Sequence, residues 1–216
     1  MSTITDESVS ARNRSTDAVR SDASAAPAAP APSALADPGP LGLAAFGLTT
    51  LLLSLANANI LPEAGATAVS MALFYGGLTQ LAAGLWEFAR GNTFGATAFT
   101  SYGAFWLTFW WLQTTPEFAA AAGAKGTGAY LLAWTVFTAI MTLAAMKTNG
   151  ATLTVFVLLT LTFAGLALGD LTGAEAFGRV AGWLGLATAV AALYTSCAGV
   201  TNATWKRDVL PVWPLA

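Results

Sequence analysis

The residues able to do chemistry in this chain are few, and most of them are uncharged. Phe46, Thr50, Ser54 and Asn57 are spaced so that, at about 100° per residue, they fall within roughly 80° of one another on a helix. Tyr102, Trp106, Phe109 and Gln113 share a face of about 60° by the same count. Each run mixes aromatic rings with hydroxyl or amide groups. Tyr75, Thr79 and Gln80 form a third polar set, and Thr152, Leu159, Thr160 and Thr162 a fourth. On one reading these groups bond back to their own helix or across to a neighbour, as Ser and Thr do in apolar surroundings. On the other, neutral donors line a route for a small polar or anionic solute, which must shed water without sticking.

Other chemistry is scarce. There is no histidine, and Cys197 is the sole cysteine. An intrachain disulfide and a Cys/His metal site are both excluded. Cys197 reads as a small packing residue. Glu87 and Arg90 are three apart and could pair on one helical face. Such a pair either fixes a helix end or serves as a gate or proton sensor. No grouping of nucleophile, base and metal ligands is visible, so neither an enzyme nor a cofactor is expected.

The elements that carry these residues are apolar. Stretches near 41–60, 67–87, 97–114, 128–146, 151–169 and 179–200 each approach the roughly 18–20 residues a membrane-spanning helix needs. Mean hydropathy is +0.62. Charged residues make up 9% of the chain, against roughly 25% in soluble domains. None of the charged residues falls near the middle of a stretch, where pumps and many coupled transporters keep an ionisable group. The expected fold is therefore an all-α integral membrane protein, a bundle of six transmembrane helices over 37–204. A net charge of −2 with no basic cluster argues against a nucleic-acid partner.

Residues 1–36 are rich in Ala, Ser, Asp, Arg and Pro, with almost no large side chains. They cannot bury enough surface to offset ordering entropy and are expected to form a disordered tail. No apolar run follows their charges, so a cleavable signal peptide is not expected. Residues 205–216 form a short second tail. With six spans, both tails lie on one side, together with Arg12, Arg14, Arg20, Arg90, Lys147, Lys206 and Arg207. Only Lys125 and Arg179 fall on the other. The asymmetry puts both termini in the cytoplasm of a cell-membrane protein.

Two segments are more specific than composition. One is Asp37-Pro38-Gly39-Pro40-Leu41-Gly42-Leu43, followed by Phe46-Gly47-Leu48-Thr49-Thr50. The other begins Tyr75-Gly76-Gly77-Leu78-Thr79-Gln80 and passes through Gly84-Leu85-Trp86-Glu87-Phe88 and Gly91-Asn92-Thr93-Phe94-Gly95. It ends in Thr97-Ala98-Phe99-Thr100-Ser101-Tyr102-Gly103-Ala104-Phe105-Trp106-Leu107-Thr108. Over roughly residues 37–205 the chain resembles the acetate uptake transporter family, the acetate–succinate permeases of bacteria and the ammonia/acetate proteins of yeasts.

The resemblance implies six helices per subunit, a homohexamer, and a separate path through each protomer for acetate and related short carboxylates. It implies a constriction of Phe46, Tyr102 and Leu159, and a pore-lining place for Ala192 that influences substrate size. The family's usual Asn-Pro is here Asp37-Pro38. The carboxylate at this mouth could repel anions, cap the helix or add pH sensitivity. Thr50, Asn57 and Gln80 are the candidate polar sites beside the constriction. The anion either runs down its gradient, channel-like, or moves with a proton. Alternative solutes are ammonia or ammonium and larger acids such as succinate or lactate. A membrane scaffold or sensor is the alternative outside transport.

Overall fold

The computed structural model describes residues 35–215. The expected disordered tail lies almost wholly outside them. Helix α1 spans Gly39–Asn57, with Pro38 at its N-cap and Pro40 in its first turn, where a missing N–H costs nothing. Helix α2 runs from Ala64 to Arg90 and passes through a π-helical stretch at Phe74–Thr79. It stops at Gly91, whose φ of 77° is one that side-chain-bearing residues avoid. Helix α3 spans Thr93–Thr114 and is capped by Asn92, whose side chain accepts from the Gly95 N–H at 3.1 Å. Helix α4 covers Pro116–Ala145 but is broken at Gly123, where φ is 54°. Helix α5 is Gly150–Thr172, capped by Asn149, and α6 is Glu175–Trp205. No strand occurs among the described residues.

Five of these helices, α1, α2, α4, α5 and α6, are long and apolar enough to cross a bilayer. Helix α3, which holds the stretch 97–114, is not among them. It has 22 residues and no charge, so it falls short in hydropathy and not in length. Its threonines, serine, tyrosine and tryptophans dilute its phenylalanines and leucines.

Consecutive helices run antiparallel, and glycines set how closely they approach. A Cβ on Gly76 of α2 would sit 2.9 Å from Trp106 Cγ, and one on Gly103 of α3 would sit 2.6 Å from the Leu81 nitrogen. Gly165 of α5 meets Ala181 of α6 at 2.9 Å in the same sense. Helix α6 returns to α1 and closes the bundle. Gly182 abuts the backbone of Asn57 and Ala58, and Ser196 Oγ donates to the Pro40 carbonyl at 2.6 Å. Small residues at such seams let helices pack where no hydrophobic force drives them together.

The outer face is apolar. Phe74, Leu85, Trp86, Phe88, Val136, Ile140, Leu143 and Val190 are all exposed, a surface suited to lipid tails. Polar groups point inward: Thr49, Thr50, Ser54, Gln80, Glu87, Thr138, Thr162 and Thr188 are buried. Most threonines bond to the carbonyl four residues back, as Thr138 does to Trp134 at 2.7 Å.

The segment after α6 is pinned. The Asn202 carboxamide donates to the Leu210 carbonyl at 2.9 Å and accepts from the Val209 and Leu210 N–H groups. The Gly150 and Ala151 N–H groups donate to the carbonyls of Trp213 and Val212 at 2.7 and 3.2 Å. The strap thereby satisfies the first free donors of α5.

Candidate functional site

Tyr102, on α3, is 3% exposed and lies at the centre of the bundle. Its phenol donates to Thr138 Oγ1 on α4 at 3.0 Å. Its ring lies 6.0 Å from Phe46 on α1, 6.1 Å from Phe156 on α5, and 6.0 and 5.6 Å from Trp134 and Phe137 on α4. Phe46, Tyr102, Phe156, Leu159 and Ala192 belong to one buried apolar cluster. Four helices thus contribute rings to one plug.

A cavity opens on each side of this plug. The first, of about 350 Å³, is lined by Thr50, Ser54, Asn57, Phe105, Trp106, Gln113, Thr127, Tyr130, Leu159, Thr162 and Asp170, among others. These come from the C-terminal halves of α1, α3 and α5 and the first part of α4. The second, of about 360 Å³, is lined by Asp37, Gly39, Glu87, Asn92, Phe94, Thr148, Asn149, Thr152, Phe156, Thr195, Asn202 and Val212, among others. It gathers the N-termini of α1, α3 and α5 with the ends of α2 and α6. Because α1, α3 and α5 run parallel, the cavities face opposite ends of the bundle. The arrangement is two vestibules whose largely apolar walls carry hydroxyl, amide and carboxyl groups, separated by an apolar neck of packed rings. Such a neck holds back water and ions, while the vestibules offer hydrogen bonds to a solute.

The expected site residues separate into groups. Phe46 and Tyr102 pack within the neck, and Leu159 borders it from the first cavity. Thr50 and Asn57 line that cavity. Gln80 and Ala192 line neither cavity. Gln80 is 1% exposed, with Oε1 unpartnered, and Ala192 is fully buried in the apolar cluster. Thr50 Oγ1 and Trp106 Nε1 are also buried without partners. Asp37 accepts from the Gly39 N–H at 2.9 Å and also pairs with Arg90, so it holds the first turn of α1 to the end of α2. Arg90 Nη1 lies 3.6 Å from Glu87 Oε2. The neck contains rings that the sequence reading did not single out, Phe156 above all. The spacing 156, 159, 163 on α5 puts Phe156, Leu159 and Phe163 on one face and was a usable signal.

Comparisons with known proteins give the arrangement its context. The profile described as the GPR1/FUN34/yaaH family matches residues 21–216. The chain is 43% identical over 180 residues to the succinate-acetate/proton symporter SatP of Escherichia coli (strain K12), covering 82% of this chain and 95% of that one. It is 36% identical to acetate permease A of Emericella nidulans, covering 82% of this chain and 65% of the relative. It is 39% identical to ammonia transport outward protein 2 of Saccharomyces cerevisiae, covering 87% of this chain and 69% of the relative. Among solved structures, the bacterial acetate channel SatP superposes with a TM-score of 0.78 at 43% identity, covering 82% of this chain and 99% of that one. With a profile match across most of its length and relatives of this similarity, the chain is a multi-pass membrane protein and belongs to the GPR1/FUN34/yaaH family.

Proposed function

We propose that this protein carries acetate and related short carboxylates across the cell membrane, through a path within each protomer. The observation that carries the reading is the Phe46–Tyr102 ring pair lying between two cavities, which bring hydroxyl and amide side chains to opposite ends of the bundle. Thr50 and Asn57 offer hydrogen bonds to the solute in the first cavity. Leu159 sets the width of the neck from that side. Gln80 and Ala192 act from behind the neck, through packing and not through solute contact.

The names of the relatives support carboxylate transport. They divide on mode, since SatP is called a proton symporter in one case and a channel in the other. We infer further that α3 is a sixth span, with its polar groups turned into the bundle, and that both termini are cytoplasmic, as the basic residues favour. The second cavity is then the inner one. The exposed apolar girdle suits a homohexamer embedded in lipid.

Uptake of labelled acetate into proteoliposomes, above that of protein-free vesicles, tests the reading. Uptake that saturates and is lost in Leu159→Trp is expected. No uptake by the intact protein overturns it. The ammonia-transport name of the yeast relative favours a second reading. Competition by ammonium but not by unlabelled acids would select it. Loss of activity on deleting residues 1–36 would favour a scaffold or sensor.

A further inference from the structure

The second cavity holds a carboxylate that a helix-end ion pair does not account for. Glu87 is 1% exposed, the most deeply buried acidic or basic residue among those described, and yet it lines the cavity. Its carboxyl is lodged against the first turn of α3, where a Cβ on Gly95 would come within 2.9 Å of Cδ and Oε1. On the α1 side, a Cβ on Gly39 would lie 3.4 Å from Oε1. Asn92 Nδ2 donates to Oε2 at 3.0 Å, and Arg90 Nη1 lies 3.6 Å from the same oxygen. Oε2 is therefore engaged, while Oε1 accepts no hydrogen bond from the described residues.

Charge counting gives this carboxyl a function. The α1 lead-in contributes Asp37, and α2 contributes Glu87 and Arg90. Helix α3 carries no charge, and the cavity residues from α5, α6 and the terminal strap are neutral: Thr148, Asn149, Thr152, Thr195, Asn202 and Val212. Lys147, Lys206, Arg207 and Asp208 are exposed and do not line the cavity. With both acids ionised, two carboxylates face one guanidinium. The remaining negative charge opposes an anion in a space where low polarity strengthens the repulsion. One proton on Glu87 cancels it.

We propose that Glu87 is the proton-binding group of the inner vestibule, and that a substrate carboxylate occupies this vestibule only while Glu87 is protonated. The inference rests on the transport reading above and assigns its proton site. A proton from vestibule water binds Oε1, and Oε2 keeps its bond from Asn92. The anion then enters a vestibule of zero net charge. When the anion leaves, the proton returns to water and the Glu87–Arg90 pair re-forms. Anion and proton are thereby bound together without an ionisable group in the neck.

Exchange of labelled acetate at equal concentrations on both sides of proteoliposomes, measured from mildly acidic to mildly alkaline pH with the protein-free rate subtracted, tests the proposal. Wild-type exchange is expected to fall about tenfold per pH unit above its midpoint, as the protonated fraction does. Glu87→Gln, neutral at every pH, is expected to give a flat profile. Glu87→Asp is expected to restore the slope. Asn92→Ser can still cap α3 but loses the amide donor that favours the ionised carboxylate, so its midpoint moves to higher pH. If Glu87→Gln does not assemble, the Asn92→Ser shift decides the matter. A wild-type slope preserved in Glu87→Gln, or an unmoved midpoint in Asn92→Ser, overturns the proposal. Absence of exchange in the wild type would instead overturn the transport reading itself.

Discussion

Tyr102 and Thr138 are joined hydroxyl to hydroxyl across the α3–α4 seam at 3.0 Å, and Thr138 is itself anchored to the Trp134 carbonyl. The bond fixes the tilt of a ring that Phe46, Trp134, Phe137 and Phe156 surround. Tyr102→Phe keeps the ring and leaves Thr138 its backbone partner. It should cost about 1 kcal/mol, seen as a modest fall in thermal stability in detergent, with acetate uptake retained. Tyr102→Ala empties the neck. It should cost about 3–5 kcal/mol and let larger acids compete with acetate. A destabilised Tyr102→Ala whose competition pattern matches wild type would contradict a neck at this ring.

Leu159 borders the neck from the first cavity and is 4% exposed. Leu159→Ala removes a buried side chain and should destabilise the protein by about 2–5 kcal/mol. It should also raise the uptake of succinate relative to acetate. The ratio of labelled succinate to labelled acetate taken up is the measurement. An unchanged ratio would remove Leu159 from the path.

Gly182 of α6 abuts the backbone of Asn57 and Ala58, the site where the last helix closes against the first. Backbone atoms cannot yield as the end of a flexible side chain can. Gly182→Val should therefore separate α1 from α6, and size-exclusion chromatography in detergent should show aggregated protein. A normal profile would mean that the seam tolerates a wider spacing.

Asn202 holds the terminal strap through three hydrogen bonds. Asn202→Ala should cost about 1–3 kcal/mol and make residues 209–215 accessible to protease. Freed of the strap, the Gly150 and Ala151 N–H groups should exchange hydrogen faster. Equal protection in variant and wild type would show that the Tyr194–Trp213 stacking, at 5.9 Å between centroids, suffices to hold the segment.

The features legible in the sequence were those with a period. Helical spacing put Phe46 with Thr50 and Asn57, and Tyr102 with Trp106 and Gln113, on single faces, and the structure turns both faces toward the first cavity and the ring cluster beside it. The pairing of Glu87 with Arg90 followed from their separation by three. Gln80 shows where periodicity fails. The π-helical stretch at Phe74–Thr79 lies just before it and changes the angle per residue, so counting at 100° gives no reliable face there. Helix α3 looked like its neighbours by length, yet its tyrosine, tryptophans and threonines set it apart in hydropathy. Phe156 was harder to see: its spacing from Leu159 and Phe163 marks a shared face, but on a helix apolar all round that spacing does not say whether the face meets lipid or the bundle interior. The strap was illegible for another reason. Its hold comes from a side chain and helix donors distant in sequence, and seven residues with two prolines carry no pattern of their own.

The central claim is that the solute passes the neck between the two vestibules. Thr50→Cys in a Cys197→Ser background tests it most directly, because position 50 lines the first cavity one helical turn from Phe46, the cavity that the proposed topology places outside. A charged, membrane-impermeant thiol reagent added from outside should modify the cysteine and abolish acetate uptake, and excess acetate should slow the modification. Complete modification with undiminished uptake, or reaction only with lipid-soluble reagents, would contradict the account.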